Sequence, residues 1–275
     1  YVPFCTRRKY SVMNIGIIGV GVVGEACKYG FEKLGHTVVC HDIKLETSIK
    51  DVLFCDVVYI CVPTPTLEDG SCDVSIVQDT VFRLSYLRFD GIVAIKSTVK
   101  PTTSDKLARE TGLKICFVPE FLRERCAVTD FTENHDLLAV GTDSEYVYNI
   151  IKECHGNFPQ NHAMLSRTEA EMLKYYSNVI NALKIVFANS MYEVCESLNC
   201  NYTKVKDTFI KRGTTKDLYL DVNKNFRGYA GVCLPKDTRA LDSFRKELGL
   251  DLKLFETIEQ ENNKFKKTVF KGMRK

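Results

Sequence analysis

Three sets of residues in this chain have types and spacings suited to chemistry. The first is Gly19-Val20-Gly21-Val22-Val23-Gly24. An apolar run, 15–18, leads into it, and a helix-like stretch, 25–34, follows. A second apolar run, 37–41, closes on Asp42. In such a strand–turn–helix–strand unit the first glycine allows a tight turn. The second lets backbone approach a pyrophosphate, and the third lets helix and strand pack closely. The unpaired N–H groups of the helix N-terminus then face the phosphates. Asp42 lies eighteen residues beyond Gly24, near the spacing of about 20 for an acid that binds an adenosine ribose diol. A carboxylate there repels a 2′-phosphate, which favours NAD. Lys44 keeps NADP as the alternative.

The second set is Gly231-Val232-Cys233-Leu234-Pro235-Lys236-Asp237. A thiol near a helix start, a lysine and an acid is a candidate nucleophile. It is one of twelve cysteines, however, and position alone does not single it out. The third set is a polar stripe, Glu171, Lys174, Asn178 and Asn181, in an otherwise apolar helical stretch. Lys174 and Asn178 are four apart and share a face. The stripe is either a solvated face or a set of groups offered to a substrate.

The elements that position these groups follow from periodicity. Apolar runs at 15–18, 37–41, 56–62, 91–95, 114–118 and 137–140 alternate with helix-like stretches at 25–34, 74–87, 101–110 and up to 154. Gly141-Thr142-Asp143 is the expected cap of the last of these. This alternation predicts an α/β fold, a Rossmann-type doubly wound parallel sheet. Ligands bind beyond the carboxyl ends of such strands. The loops 19–24, 63–65, 96–98 and 119–124 should therefore converge, which marks Thr64, Thr98, Glu120 and Glu124. From Ser166 the character changes. Ser166 with Glu169 forms a capping box, and a long helix to about residue 198 begins a smaller, all-helical domain. Further helices are expected at 202–211 and 237–265, with 213–231 irregular. The expected organisation is a 1–12 extension, a cofactor domain at 13–165 and a helical domain at 166–275.

A net charge of +3 gives no reason to expect nucleic acid. No apolar run approaches the roughly 20 residues of a membrane span. The cysteines form no CxxC pair and sit mostly in apolar runs, as buried thiols of a reducing, cytoplasmic compartment would. No metal is expected. Residues 1–12 contain no apolar leader core, and Met13 falls where the first strand begins, so the natural start is expected at or near Met13.

The segments GVGVVG (19–24), CVPTP (61–65), KSTV (96–99), PEFLRE (119–124), K-x-x-x-N (174–178) and GYAGVCLPKD (228–237) together resemble the UDP-glucose/GDP-mannose dehydrogenase family, in order and in spacing. The resemblance implies an NAD-dependent, four-electron oxidation of a UDP-sugar primary alcohol to a carboxylate, UDP-glucose to UDP-glucuronate above all. It implies Cys233 as the nucleophile that captures the aldehyde as a thiohemiacetal and carries the later thioester. Lys174 and Asn178 would hold the oxyanion, and Glu124 would be the base for thioester hydrolysis. Asp237 and Thr98 would orient Lys174 and the water. Cofactor contacts would come from Gly19, Val20, Gly21, Val22, Val23, Gly24, Asp42, Thr64, Thr98, Glu124 and Lys236. Substrate contacts would come from Glu120, Phe121, Leu122, Arg123, Glu124, Lys174, Asn178, Gly228 and Gly231. A homodimer through the helix 166–199 is also implied.

Two features depart from the family pattern. Ala230 stands where a glycine is usual, and the usual third, nucleotide-binding domain is expected to be missing. Two alternatives follow: an NAD-binding remnant with little or no turnover, or a β-hydroxyacid dehydrogenase-like enzyme that stops after two electrons.

Overall fold

The computed structural model describes residues 11–225 and 227–265. Most of the 1–12 extension therefore lies outside the described residues; at its end the Ser11 N–H donates to Glu153 Oε1 at 2.9 Å. The described residues up to Pro65, together with Asp73–Lys174, form one compact unit; Thr66–Cys72 and the described residues from Tyr175 onward form another.

The first unit is a seven-stranded sheet. Its strands are β1 (Asn14–Ile18), β2 (Thr37–His41), β3 (Val57–Ile60), β4 (Ile92–Ile95), β5 (Lys114–Phe117), β6 (Leu137–Gly141) and β7 (Asn161–Leu165), in the order β2-β1-β3-β4-β5-β6-β7. The helices are α1 (Val22–Leu34), α2 (Ser75–Tyr86), α3 (Thr103–Thr111), α4 (Ala127–Thr132) and α5 (Glu145–His155). Strand residues alternate between two cores, as the two-residue period of a pleat requires. Ile15, Ile17, Val57, Tyr59, Ile92, Ala94 and Cys116 pack with α1, α4 and α5. Val58, Ile60, Val93, Ile95, Ile115 and Phe117 pack with α2 and α3 on the other face. Both faces of β1, β3, β4 and β5 are covered, so they read as near-continuous apolar runs, while β2 is a half-buried edge strand.

The expected all-parallel sheet holds for β1 to β5. It fails at β6, which meets β5 antiparallel through Phe117 and Gly141 and pairs in parallel with β7. β7 was not legible as a strand. It is an edge strand, half-exposed along its length, so it never needed the apolar run that marks a buried one. α5 begins later than expected. Its cap is Ser144, whose Oγ accepts the Val147 N–H at 3.3 Å, while Thr142 supports Ser144 from outside the helix.

The long helix is α6 (Arg167–Ser197). Its capping box is formed: Glu169 N–H donates to Ser166 Oγ at 3.3 Å, and Ser166 N–H to Glu169 Oε2 at 2.7 Å. In the second unit α7 (Tyr202–Ile210), α8 (Cys233–Glu247) and α9 (Leu254–Lys264) follow. The expected single helical stretch 237–265 is thus two helices. Gly249, at φ 69°, ends the first, and the Leu250 N–H returns to Arg245 O at 3.0 Å. That is a glycine-terminated Schellman stop. Lys206 Nζ pins the irregular segment before α8 through Asp217 at 2.8 Å and Asp221 at 2.7 Å.

Gly24 on α1 leaves no room for a methyl group, because a Cβ there would overlap the carbonyl oxygen of Gly19. A Cβ on Gly21 would meet nothing within 4 Å. Gly24→Ala is therefore expected to destabilise the first unit by about 2 kcal/mol or more, while Gly21→Ala leaves thermal stability nearly unchanged. Equal melting shifts for the two variants would contradict this packing.

Candidate active site

The glycine turn sits where the winding of the sheet reverses, beyond the carboxyl ends of β1 and β3, where doubly wound folds open a crevice. Gly19 has φ 92°, and a Cβ on it would lie 2.7 Å from the backbone of Cys61. The end of β3 therefore presses against the turn. The Gly21 side is open, and no side chain caps α1. This is the arrangement of a helix N-terminus that receives an anion. Asp42 Oδ2 accepts the Val20 N–H at 2.7 Å, and its Oδ1 accepts the Lys44 N–H at 2.9 Å. Those two bonds hold its carboxyl below the usual range, so it stays ionised at the edge of the turn.

The loops after β3 and β4 are joined by Ser97 Oγ, which donates to Val62 O at 2.7 Å. Thr64 and Thr98 are both buried there. Lys96 is also buried, its ammonium 5.8 Å from the Tyr59 ring centroid. Sequence reasoning gave Lys96 no role.

The segment after β5 carries the most defined polar contact of this unit. Lys174 Nζ donates to the Glu120 carbonyl at 2.5 Å and to Glu120 Oε1 at 2.8 Å. The Phe121 ring lies 5.8 Å from the same ammonium. Burial pushes the Glu120 carboxyl up, but the Lys174 ammonium, with help from the Leu122 N–H and Lys96, outweighs it and holds it below its ordinary value. Leu122 packs against the core. Arg123 forks onto Asp130 with contacts of 3.0 and 2.7 Å, which fastens the loop to α4. Glu124 is exposed and heads a short 3₁₀ turn.

The polar stripe on α6 is not a solvated face: Glu171, Lys174 and Asn178 are all buried, and Asn181 is half-buried. Glu171 was legible only as a member of that stripe. Its carboxylate accepts the Thr102 N–H at 2.6 Å and the Ser104 N–H at 2.8 Å, closing the N-terminus of α3. Arg167 adds bonds to Ile115 O, Asp105 and Asp143. The first turns of α6 are thereby fixed one turn before Lys174.

In the second unit, Asn178 Nδ2 donates to Asp237 Oδ2 at 2.5 Å, and Lys236 Nζ donates to Asp237 Oδ1 at 2.6 Å. A carboxylate only accepts, so this contact fixes which end of the Asn178 amide is the donor. Cys233 is exposed, is the first residue of α8, and lies four residues before Asp237, on the same helix face. The loop before it is set by Asn262, which sequence reasoning missed. Asn262 accepts the Tyr229 N–H at 2.8 Å and donates to Tyr229 O at 3.0 Å. Gly228 lies against the same amide at φ 66°, and Gly231, at φ 93°, is open. Ala230 is exposed, so its extra methyl group meets no packing penalty. Among the described residues, no helix is long and apolar enough to cross a membrane.

Residues 43–159 match the NAD binding domain of the UDP-glucose/GDP-mannose dehydrogenase family, and 168–264 match the family's central domain. The chain is 29% identical to the UDP-glucose 6-dehydrogenase YwqF of Bacillus subtilis over 91% of its own length and 66% of that protein's. It is 28% identical to the UDP-glucose 6-dehydrogenase of Rickettsia prowazekii over 91% and 67%. It thus spans about two thirds of the length of these curated relatives. Among solved structures, a UDP-glucose dehydrogenase from Pyrobaculum islandicum superposes with a TM-score of 0.82 at 27% identity, over 96% of this chain and 70% of that one. A 3-hydroxyisobutyrate dehydrogenase from Mycobacterium tuberculosis superposes at 0.72 with 16% identity, over 93% and 94%. At that identity the likeness speaks to fold alone.

Burial raises the Glu171 carboxyl to about 7, against the N–H bonds from Ser104 and Thr102 that pull it down. Between its unfolded value and pH 7 the folded protein therefore holds a proton that the unfolded chain releases. The stability contributed by this group falls as pH rises, by about 3 kcal/mol at most. Glu171→Gln removes that fall. The melting temperature of the variant should gain on the parent from pH 5 to pH 7; parallel profiles would show that Glu171 does not titrate there.

Proposed function

Because the chain belongs to the UDP-glucose/GDP-mannose dehydrogenase family, we propose that it serves a four-electron oxidation of a UDP-sugar, UDP-glucose to UDP-glucuronate, with NAD as the oxidant. The observation that carries this reading is the buried Lys174–Glu120 pair, fixed on α6 one turn before Asn178.

The residues present fit a dinucleotide. Gly21 leaves open space where backbone can approach a pyrophosphate, α1 presents an uncapped N-terminus, and Asp42 offers an ionised carboxylate to a ribose diol. Bound NAD would accept one hydride in each of two oxidations. The first oxidation converts the C6 alcohol of the sugar to an aldehyde. An aldehyde carbon carries no hydroxyl from which a second oxidation can start, so a nucleophile must add first. Cys233, exposed at the head of α8, supplies it: sulfur bonds to the carbonyl carbon and the oxygen becomes a hydroxyl. The second oxidation leaves a thioester. Water then adds to it, the carbon–sulfur bond breaks, and carboxylate and thiol are released. Lys174 and the second N–H of the Asn178 amide stabilise the oxyanion formed at each addition. Asp237 holds Asn178 in the donor orientation.

The resemblance puts the hydrolytic base at Glu124. The geometry favours Glu120, which is buried and in contact with Lys174, whereas Glu124 is exposed. Arg123 acts through Asp130 as the anchor of this loop rather than as a substrate ligand. A homodimer along α6 is supported by an exposed apolar stripe at helical spacing, Tyr176, Phe187 and Val194, with Leu198 just past the helix end.

In a turnover assay with UDP-glucose, GDP-mannose and UDP-N-acetyl sugars, two NADH are expected per UDP-glucose consumed. Cys233→Ser should block the second oxidation, and Glu120→Gln should lower turnover about a hundredfold, more than Glu124→Gln does. One NADH per turnover would replace this reading with the two-electron one. NAD binding without turnover of any nucleotide sugar would leave the remnant reading. For the dimer, sedimentation should give twice the chain mass, and Phe187→Glu should return it to one; a monomeric parent refutes the interface.

A further inference from the structure

α6 ends in a Schellman stop built without glycine. Asn199 takes the left-handed conformation at φ 52°. Its N–H returns to Glu196 O at 3.1 Å, and the Cys200 N–H returns to Cys195 O at 2.9 Å. In this motif the residues at the two ends of the longer bond touch, and the contact is usually between apolar side chains. Here both are cysteines. Standard bond lengths with a 2.9 Å N···O contact place the two Cα atoms no further apart than about 6.8 Å, the upper edge of the disulfide range. The pair is also asymmetric. Cys195 is 4% exposed and packs with Ala188, Tyr202 and Leu220, whereas Cys200 is exposed.

We propose that Cys195 and Cys200 form a peroxide-oxidisable dithiol that closes to a disulfide across the end of α6. The exposed Cys200 sulfur attacks a peroxide oxygen; the O–O bond breaks, and Cys200 becomes a sulfenic acid with release of water. The Cys195 sulfur then attacks the Cys200 sulfur; the S–O bond breaks, a second water leaves, and the S–S bond forms. Two electrons pass from the thiols to the peroxide. The turn keeps the two Cα atoms within disulfide reach, so the second step calls for side-chain rotation at Cys195 and Cys200. The buried partner also shields Cys200 from further oxidation by consuming the sulfenic acid. This assignment is independent of the dehydrogenase reading, because neither residue belongs to that machinery.

No lysine or arginine lies between Lys184 and Lys204, so both cysteines fall in one tryptic peptide, 185–204. After treatment of the full chain with hydrogen peroxide, then alkylation and digestion, that peptide should be two hydrogens lighter and should lose both alkylation sites together. Dithiothreitol should restore them. In Cys195→Ser the sulfenic acid should persist on Cys200 and react with dimedone; Cys200→Ser should give neither product. Cys27 is fully buried, and its peptide should stay reduced at the same dose. A dimedone adduct on Cys200 in the parent protein overturns the proposal. So does a peptide that remains fully alkylated while Cys233 is oxidised.

Discussion

The first half of α6 buries an ammonium and a carboxylate, and an unmatched buried charge costs several kcal/mol. The surrounding structure is arranged to match them. Glu171 receives two backbone N–H groups from the start of α3, which offset part, not all, of the burial that raises its carboxyl to about 7. Lys174 receives both a carbonyl and a carboxylate from Glu120. Arg167 ties the same helix end to Asp105 and Asp143. A polar stripe that would be unremarkable on a solvated helix becomes a fixed constellation because each member has only one place to go. The loop 119–124 is bound by the same logic: Arg123 is spent on Asp130, Leu122 on the core, and Glu120 on Lys174.

The cofactor end of the fold obeys a steric constraint rather than an electrostatic one. Gly19 and Gly24 are required by the protein's own backbone, since a methyl group at either would overlap a neighbouring main chain. Gly21 is not required by packing at all. A Cβ there would meet nothing within 4 Å. Asp42 belongs with it, because its two backbone N–H bonds stabilise the charged form beside that space.

In the second unit the same division recurs. Asp237, fully buried, orders Asn178 and Lys236, and Asn262 on α9 clamps the Gly228–Tyr229 turn through paired amide bonds. Cys233 is left exposed at the head of α8, where unpaired N–H groups face any negative charge that develops. The buried members of this segment hold its geometry, and Cys233 stands at its exposed edge.

Much of this was written in the chain. Alternating apolar runs gave six of the seven strands, β6 included, because most of them are buried on both faces and read as continuous apolar runs. The glycine spacing marked the turn, the Ser166–Glu169 box marked the start of α6, and the separated short motifs marked the family. What the sequence left open was decided by non-local contacts. β7 is an edge strand with little apolar signal, and β6 reverses direction by a single pairing with β5. The split between α8 and α9 turned on one left-handed glycine. Whether Glu171, Lys174 and Asn178 were solvated or buried depended on partners 67, 54 and 59 residues away in the chain. Periodicity reports what each stretch must hide from water, a local property that the sequence fixes by itself. Which charge meets which partner is settled only when distant segments are brought together, and that the tertiary structure alone decides.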